Sequence, residues 1–193
     1  KMHQISVEKF GDKLAGAKIS TRQRMLDDIE GFQQRWNMTG FHSIALEIAF
    51  GWVRTNIDFA DGARTLIHKD IGCHNMLVKD NQVSALLDWE TAAIGNPAQD
   101  LGYLKHTIEQ VMDWNEFLQT YVAAGGKMPS ETEIDYYALW RTVWLMSLLL
   151  NAKFGFVSGA IPDIQLGYAG EYLFQRVEGQ LNKLLQQVVA RYQ

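Results

Sequence analysis

Apolar residues recur at helical spacing in two segments near the start of the chain. In residues 21–37 they fall three or four positions apart, which predicts a helix with one buried face. The positions on that face are Met25, Ile29, Phe32 and Trp36. A second helix is predicted for residues 43–57, with Ile44, Ile48 and Trp52 facing inward.

A β pattern occurs only at about residues 64–88. Three short apolar runs bounded by turn residues, TLIH, NMLVK and VSALLDW, predict short strands there. Antiparallel pairing of the last two runs, with a two-residue turn directly after Asp80, would set Asn75 opposite Asp88. The Cβ atoms of opposed residues lie about 5 Å apart, so an amide and a carboxylate would be adjacent. A three-residue turn would shift this pairing by one residue.

Helical patterns return after this region. Asn96, Pro97 and Gln99 together resemble a capped helix start. The predicted helices cover residues 97–110, 114–124, 131–154 and 163–190. The last has an apolar stripe formed by Leu173, Val177, Leu181, Leu184, Leu185, Val188 and Tyr192. The pattern predicts an α+β, mainly α fold in which a helical body carries one small sheet.

Composition narrows the class of protein. A length of 193 residues suits a single domain or one lobe of a larger protein, and 47% hydrophobic with 21% charged residues is ordinary for a globular chain. A net charge of −4 with interspersed signs argues against a nucleic-acid partner. The most apolar run, residues 138–154, contains Arg141 and is shorter than the roughly 20 residues that cross a membrane. The single cysteine, Cys73, predicts a reducing compartment such as the cytoplasm.

Oxygen-bearing side chains cluster between residues 68 and 100. Asp70 precedes Asn75 by five residues, and Asp88 ends the predicted hairpin. Carboxylate and amide oxygens are suitable ligands for Mg²⁺, and water and substrate phosphates complete its coordination. A carboxylate at Asp70 could accept a hydrogen bond from a substrate hydroxyl beside that metal. Phosphoryl transfer requires mainly such positioning and charge neutralisation, so the pattern favours that chemistry.

The motifs in this region resemble those of the kinase superfamily. The segment HKDIGCHN followed by LLDWE is similar to the H-x-D-x-x-x-x-N and D-x-x motifs, and the longer run DWETAAIGNPAQDLGYL resembles the aminoglycoside phosphotransferase and choline kinase-like branch. The flanking segments LDDIEGFQQRW, YVAAGGK and IDYYALWRTVWL resemble the members fused to acyl-CoA dehydrogenases. Only twelve residues lead from Asp88 to Asp100, which argues against the long activation segment of protein kinases and against a protein substrate.

The resemblance implies a protein-kinase-like C-terminal lobe and an ATP-dependent, Mg²⁺-requiring phosphotransferase that acts on a small-molecule hydroxyl group. It implies that Asp70 is the catalytic base and that Asn75 and Asp88 are the Mg²⁺ ligands. It also implies supporting roles: His68 braces the metal-binding segment, and Asp100 ties down the catalytic loop.

Four positions depart from the usual pattern of this family. Lys69 replaces a common glycine, His74 replaces another glycine, and Asn96 replaces an aspartate. Gly72 stands where this branch often has histidine and where protein kinases have a phosphate-contacting lysine. The resemblance therefore supplies no obvious charge stabiliser for the phosphoryl group, and Lys69 or His74 could contact the phosphate instead.

The acceptor remains open at the level of sequence. The dehydrogenase-fused branch suggests a hydroxyacyl thioester, and an amino alcohol, a sugar or an aminoglycoside would also suit the family. Tyr103, Arg141 and Trp144 could line an acceptor pocket, although their spacing suits core packing equally well. A zinc site at Cys73 and His74 is disfavoured because two adjacent residues cannot supply four ligands.

The glycine-rich loop and the strand lysine that hold the nucleotide in this superfamily have no counterpart in the sequence. The first residues, KMHQISVEKF, resemble the helix that follows the hinge between lobes. We therefore expect an N-terminal lobe of roughly a hundred residues to be missing, and the 193 residues alone not to turn over ATP. The alternative function is a catalytically inactive kinase-like binding module.

Overall fold

A computed structural model describes residues 2–192 of the chain. It is mainly helical with two small antiparallel sheets, so the predicted α+β, mainly α fold is confirmed. The chain forms two compact units. The first combines the residues up to Arg24 with Asp58–Ala138, and the second combines Met25–Ile57 with the residues from Leu139 onward. Across the described residues, no helix is both long enough and apolar enough to cross a bilayer.

The strands all lie in the first unit. They are β1 (Thr65–Ile67), β2 (Met76–Lys79), β3 (Gln82–Leu86) and β4 (Ala93–Gly95). β1 pairs with β4 and β2 pairs with β3, which makes two separate sheets of two strands instead of the single sheet predicted. β4 was not predicted because three consecutive apolar or small residues show no alternation.

The turn between β2 and β3 differs from the prediction. It is formed by Asp80 and Asn81, with Lys79 opposite Gln82, whereas the sequence suggested a turn one residue later. Both turn residues have positive φ, 52° for Asp80 and 58° for Asn81. Two-residue hairpin turns of this kind require left-handed backbone, which aspartate and asparagine tolerate better than most residues.

An irregularity in the hairpin changes the pairing again before the strands end. Leu77 pairs with Ala85, and Val78 pairs with Val83. Ser84 is therefore an extra, unpaired residue in β3. The N–H of Leu87 then donates to the carbonyl oxygen of Asn75 at 2.8 Å. Leu87 therefore lies opposite Asn75. The predicted pairing of Asn75 with Asp88 is wrong.

Helices complete the first unit. They are α3 (Ala98–Ile108), α4 (Trp114–Ala123) and the start of α5 (Glu131–Val157). The Asn96 side-chain oxygen accepts the N–H of Ala98 at 3.0 Å, although α3 starts one residue later than predicted. The Gln99 oxygen accepts a hydrogen bond from the Arg24 guanidinium, so Gln99 does not act as the predicted capping-box partner.

α3 and α5 approach closely at Gly102. A Cβ atom added there would lie 2.8 Å from the backbone nitrogen of Ala138 and 2.9 Å from the carbonyl carbon of Tyr137. The side chains of Lys105 and Asp135 form an ion pair at 3.3 Å across the same helices. The absence of a side chain at Gly102 therefore allows the contact that holds α3 in place.

The second unit is helical. It contains most of α1 (Thr21–Met38), α2 (Ile44–Thr55), the rest of α5, α6 (Ile164–Tyr168), a π-helical turn (Ala169–Leu173) and α7 (Phe174–Tyr192). All four predicted positions on the inner face of α1 are buried, as predicted. The π-helical turn interrupts the helix that was predicted to be continuous over residues 163–190. The buried part of its stripe is Val177, Leu181, Leu185 and Val188.

The predicted inner face of α2 is wrong. Ile44 is 82% exposed and Ile48 is 51% exposed. The stripe that is buried consists of Leu46, Ala49, Phe50 and Val53. Apolar residues occupy most sides of α2, so two different stripes both fit the helical spacing of about 3.6 residues per turn. Phe50, which belongs to the buried stripe, stacks on Trp36 of α1 with ring centroids 5.6 Å apart.

We expect Gly102→Ala to lower the free energy of unfolding by about 1–3 kcal/mol, because the new Cβ must displace the backbone of a packed helix. Gly179→Ala in α7 is the matched control, since nothing lies within 4 Å of its added Cβ. The control should raise stability by about 0.5–1 kcal/mol through helix propensity. Urea denaturation followed by circular dichroism measures both, and a stabilising Gly102→Ala would contradict the close contact.

Candidate active site

The carboxylate of Asp70 lies in the loop after β1 and is held by three neighbouring side chains. The Tyr103 hydroxyl donates to Oδ1 at 2.5 Å. The Asn75 amide Nδ2 donates to Oδ2 at 3.1 Å and to the Asp70 carbonyl oxygen at 2.9 Å. The His74 Nε2 atom lies 3.5 Å from Oδ1. With 21% of its side chain exposed, Asp70 is oriented by these contacts and still accessible.

Asp100, in the first turn of α3, fixes the backbone immediately before Asp70. Its Oδ2 atom accepts the N–H of His68 at 2.9 Å, and its Oδ1 atom accepts the N–H of Lys69 at 2.8 Å. The Asp100 side chain is 1% exposed. A buried carboxylate needs such donors, and two consecutive N–H groups on one carboxylate determine the orientation of the peptide between them.

Lys69 adopts a φ of 69°, in the left-handed region that favours glycine. For a residue with a Cβ this conformation costs about 1–2 kcal/mol. The glycine that is usual at this position in the resembling sequences is explained by this backbone conformation. The hydrogen bond from the Lys69 N–H to Asp100 is one of the contacts that maintain it.

The His68 ring joins the Asp70 loop to the end of the hairpin. Its Nε2 atom lies 2.8 Å from the carbonyl oxygen of Leu87. Because a carbonyl only accepts, Nε2 carries the hydrogen. The Nδ1 atom is buried and has no hydrogen-bond partner within residues 2–192. The ring also contacts the ring of Trp89, with centroids 4.7 Å apart, so His68 contacts the residues on both sides of Asp88.

Asp88 and Asn75 supply the oxygen atoms that suit a hard cation. Asp88 is exposed and adopts left-handed backbone, with φ 60° and ψ 61°. Asn75 is buried, and its two internal side-chain hydrogen bonds both use Nδ2 as the donor. The amide oxygen Oδ1 is therefore not needed for these bonds. The hydrogen bond from the N–H of Leu87 to the Asn75 carbonyl oxygen links the two segments directly before Asp88.

The three residues predicted to line an acceptor pocket fall in different units. Tyr103 is buried in the first unit, where it binds Asp70. Arg141 and Trp144 lie in the part of α5 that belongs to the second unit, and their role stays a prediction. The contact of Tyr103 with the loop could have been anticipated, because positions three apart on a helix share a face and Tyr103 follows Asp100 by three.

His3 also reaches this site, which the sequence did not indicate. Its Nε2 atom lies 3.0 Å from Asp100 Oδ2, and its Nδ1 atom lies 2.9 Å from the Tyr121 hydroxyl. His3 and Asp100 are 97 positions apart, so no local spacing reveals the contact.

The model of the phosphotransferase enzyme family, APH, matches residues 1–140, a range that includes every residue around Asp70 described above. The chain belongs to this phosphotransferase family. Among curated relatives, acyl-CoA dehydrogenase family member 11 of Rattus norvegicus is 24% identical over 106 residues. That match covers 53% of this chain and 13% of the relative. The predicted family is thus confirmed. The similarity to a protein named for acyl-CoA dehydrogenases agrees with the resemblance of the flanking segments to the members fused to such dehydrogenases.

Solved structures of other phosphotransferases share the fold. A candidate aminoglycoside phosphotransferase from Ralstonia eutropha superposes with a TM-score of 0.74 at 19% identity, covering 96% of this chain and 61% of that one. The macrolide 2′-phosphotransferase MphH of Brachybacterium faecium gives a TM-score of 0.54 at 22% identity, covering 89% and 57%. This chain therefore spans about three fifths of the length of these two solved structures.

Two tyrosines have raised pKa values in the folded chain, Tyr136 in the core and Tyr121, which is partly buried. Burial raises the pKa of Tyr121, and the negative charge of Asp100 raises it further. Burial also raises the pKa of Tyr136, with Tyr137 adding to the effect and Arg24 opposing it. Each phenol therefore ionises more readily in the unfolded chain than in the folded one.

We expect the free energy of unfolding to decrease as pH rises above about 10, the ordinary pKa of tyrosine. The contribution of these tyrosines is fully present below that pH and is lost as the unfolded phenols ionise. Tyr136→Phe should flatten the dependence more than Tyr121→Phe, because Tyr136 is fully buried and Tyr121 only partly. Urea denaturation between pH 8 and pH 11 tests this, and an unchanged slope in Tyr136→Phe would contradict it.

Proposed function

We propose that this chain is the C-terminal catalytic lobe of an ATP-dependent phosphotransferase that acts on the hydroxyl group of a small molecule. The observation that carries the proposal is the Asp70 carboxylate, which Tyr103 and Asn75 orient on a loop whose backbone is bound by Asp100. Phosphoryl transfer depends mainly on positioning and on electrostatic stabilisation, which such a rigid loop would supply.

Asp70 is proposed to bind the acceptor hydroxyl and take its proton. A carboxylate has about four acceptor positions. Tyr103 and Asn75 use one position on each oxygen, and His74 lies at a longer distance. Acceptor capacity therefore remains for a substrate hydroxyl. The same two hydrogen bonds hold the carboxylate in one rotamer, which favours a single orientation of that hydroxyl.

Asn75 and Asp88 are proposed to hold Mg²⁺ through one amide oxygen and one carboxylate oxygen. Their donor atoms fit a hard cation, and the Nδ2 bonds of Asn75 favour an orientation that offers Oδ1. Bound Mg²⁺ would neutralise charge on the phosphates of ATP. Among residues 2–192 no three His, Cys, Asp or Glu side chains form a cation site, so water and phosphate oxygens would complete the coordination.

His74 is proposed to contact the transferred phosphoryl group. A Cβ atom at Gly72 would lie 2.5 Å from Cε1 of His74 and 2.7 Å from its Nδ1, so the imidazole occupies the space beside Gly72. The His74 side chain is 60% exposed and lies next to Asp70. It can therefore serve in place of the side chain that resembling sequences carry at position 72. Lys69, whose backbone binds Asp100, is the second candidate for this contact.

The acceptor is proposed to be a hydroxyacyl thioester, because the chain is similar to acyl-CoA dehydrogenase family member 11. An amino alcohol, a sugar or an aminoglycoside are the other acceptors to test. The competing function is a kinase-like binding module without catalysis, and the observation that favours it is the absence of a side chain at Gly72.

We expect Asp70→Asn, in the protein that also contains the N-terminal lobe, to lower kcat by at least about 100-fold while nucleotide binding persists. Asp88→Asn should abolish Mg²⁺-dependent nucleotide binding, because it removes the charged ligand. Asparagine tolerates the left-handed backbone of Asp88. Asp80→Asn is the matched control, since Asp80 is also exposed and left-handed but lies in the hairpin turn.

Calorimetry of nucleotide binding with and without Mg²⁺, together with a coupled assay for ADP release, measures both effects. Wild-type activity in Asp70→Asn would refute the proposed base. Nucleotide binding that no acceptor converts into ADP release, in all variants alike, would favour the binding module.

His74→Ala should lower kcat by about tenfold and leave the KM for the acceptor nearly unchanged, because the contact forms mainly with the transferring phosphoryl group. Gly72→Ala should have a similar effect by displacing the imidazole, which a shift of the His74 ring signals in NMR spectra would report. Cys73→Ala, an exposed neighbour, is the control. Full activity in His74→Ala would assign the phosphate contact to another residue.

A further inference from the structure

His3 forms a buried connection between two distant parts of the first unit. It lies on a short 3-10 helix (Met2–Gln4), and its side chain is 9% exposed. One ring nitrogen faces Asp100 in α3, and the other faces the Tyr121 hydroxyl in α4. The His3 and Tyr121 rings meet edge to face, with centroids 5.8 Å apart and an interplanar angle of 73°. The ring is therefore held in both position and plane.

The direction of each hydrogen bond follows from its partners. Both oxygens of Asp100 already accept backbone N–H groups, from His68 and Lys69, so the hydrogen between His3 and Asp100 belongs to Nε2 of His3. In the neutral imidazole, the Tyr121 hydroxyl then donates to Nδ1. In that neutral ring, Tyr121 favours the tautomer of His3 that donates to Asp100.

The Oδ2 atom of Asp100 is shared between His3 and the N–H of His68. If the His3 donor is removed, a buried carboxylate loses one of three hydrogen bonds, and leaving a buried charged group undersatisfied is costly. With only two donors left to fix its orientation, the carboxylate can rotate and weaken its hold on the His68 and Lys69 amides. These two amides immediately precede Asp70.

We infer that His3 is a positioning residue of the phosphotransfer site, which acts through Asp100 on the backbone that carries Asp70. The inference rests on the proposed function for its catalytic consequence, while its structural part concerns the chain alone. Tyr121 belongs to the same arrangement as the residue that fixes the His3 tautomer.

Two substitutions at position 3 separate the two ring nitrogens. The amide of His3→Gln reaches the position of Nε2 and can still donate to Asp100, whereas the shorter amide of His3→Asn lies near Nδ1 and cannot. We expect amide hydrogen exchange at His68 and Lys69 to accelerate about tenfold in His3→Asn and to stay within about twofold of wild type in His3→Gln. Residue-resolved NMR exchange on the 193-residue chain measures this without nucleotide or turnover.

In the protein with its N-terminal lobe, His3→Asn should lower kcat about tenfold with the KM for the acceptor unchanged, and His3→Gln should restore most of the activity. Tyr121→Phe keeps the ring and should give a smaller increase in exchange, about threefold. It provides the test if His3→Asn does not fold.

Gln4→Ala is the matched control. Gln4 anchors the same segment by donating to the carbonyl oxygen of Gly125 at 2.9 Å, but it does not touch Asp100. Exchange at the two amides should not change in this variant. Equal acceleration in Gln4→Ala and His3→Asn, or equal behaviour of the two His3 variants, would overturn the inference. The predicted exchange pattern without any phosphotransfer would overturn the proposed function and leave the positioning role supported.

Discussion

The hydrogen bonds of the buried Asp100 carboxylate are the constraint on which the rest of the site depends. A carboxylate that is 1% exposed must find donors, and it finds two consecutive backbone N–H groups, at His68 and Lys69, and the ring of His3. These bonds hold the left-handed conformation of Lys69 and direct the chain toward Asp70. The loop is therefore shaped by a residue on a helix, which is more rigid than the loop itself.

Local spacing predicts the clustering of the site residues well. His68, Asp70 and Asn75 lie within eight positions, so a loop followed by a strand must bring them together. Helix periodicity likewise predicted α1 correctly, because its apolar residues form one stripe. In α2, apolar residues cover most of the surface, and the pattern alone could not distinguish the buried stripe from the one containing Ile44.

Other features depend on details that the pattern does not contain. A single extra residue, Ser84, together with a turn that begins at Asp80, decides which residue faces Asn75. Moving the turn by one residue changes the partner of Asn75 by two positions, and the extra residue moves it back by one, so small differences in turn energy determine the register. The contact of His3 with Asp100 comes only from the folded chain, because residues so far apart are brought together by α3 and α4 and not by any local motif.

The imidazole beside Gly72 has a consequence for how relatives of this chain are judged. Position 72 and position 74 compete for one volume, so a bulky group at either excludes the other from it. Under the role proposed for His74, a functional side chain moves by two residues along the backbone and still reaches the space beside position 72. If that role holds, the absence of the usual residue at position 72 does not by itself show that a family member is inactive, because the missing group can come from a residue two positions further along the chain.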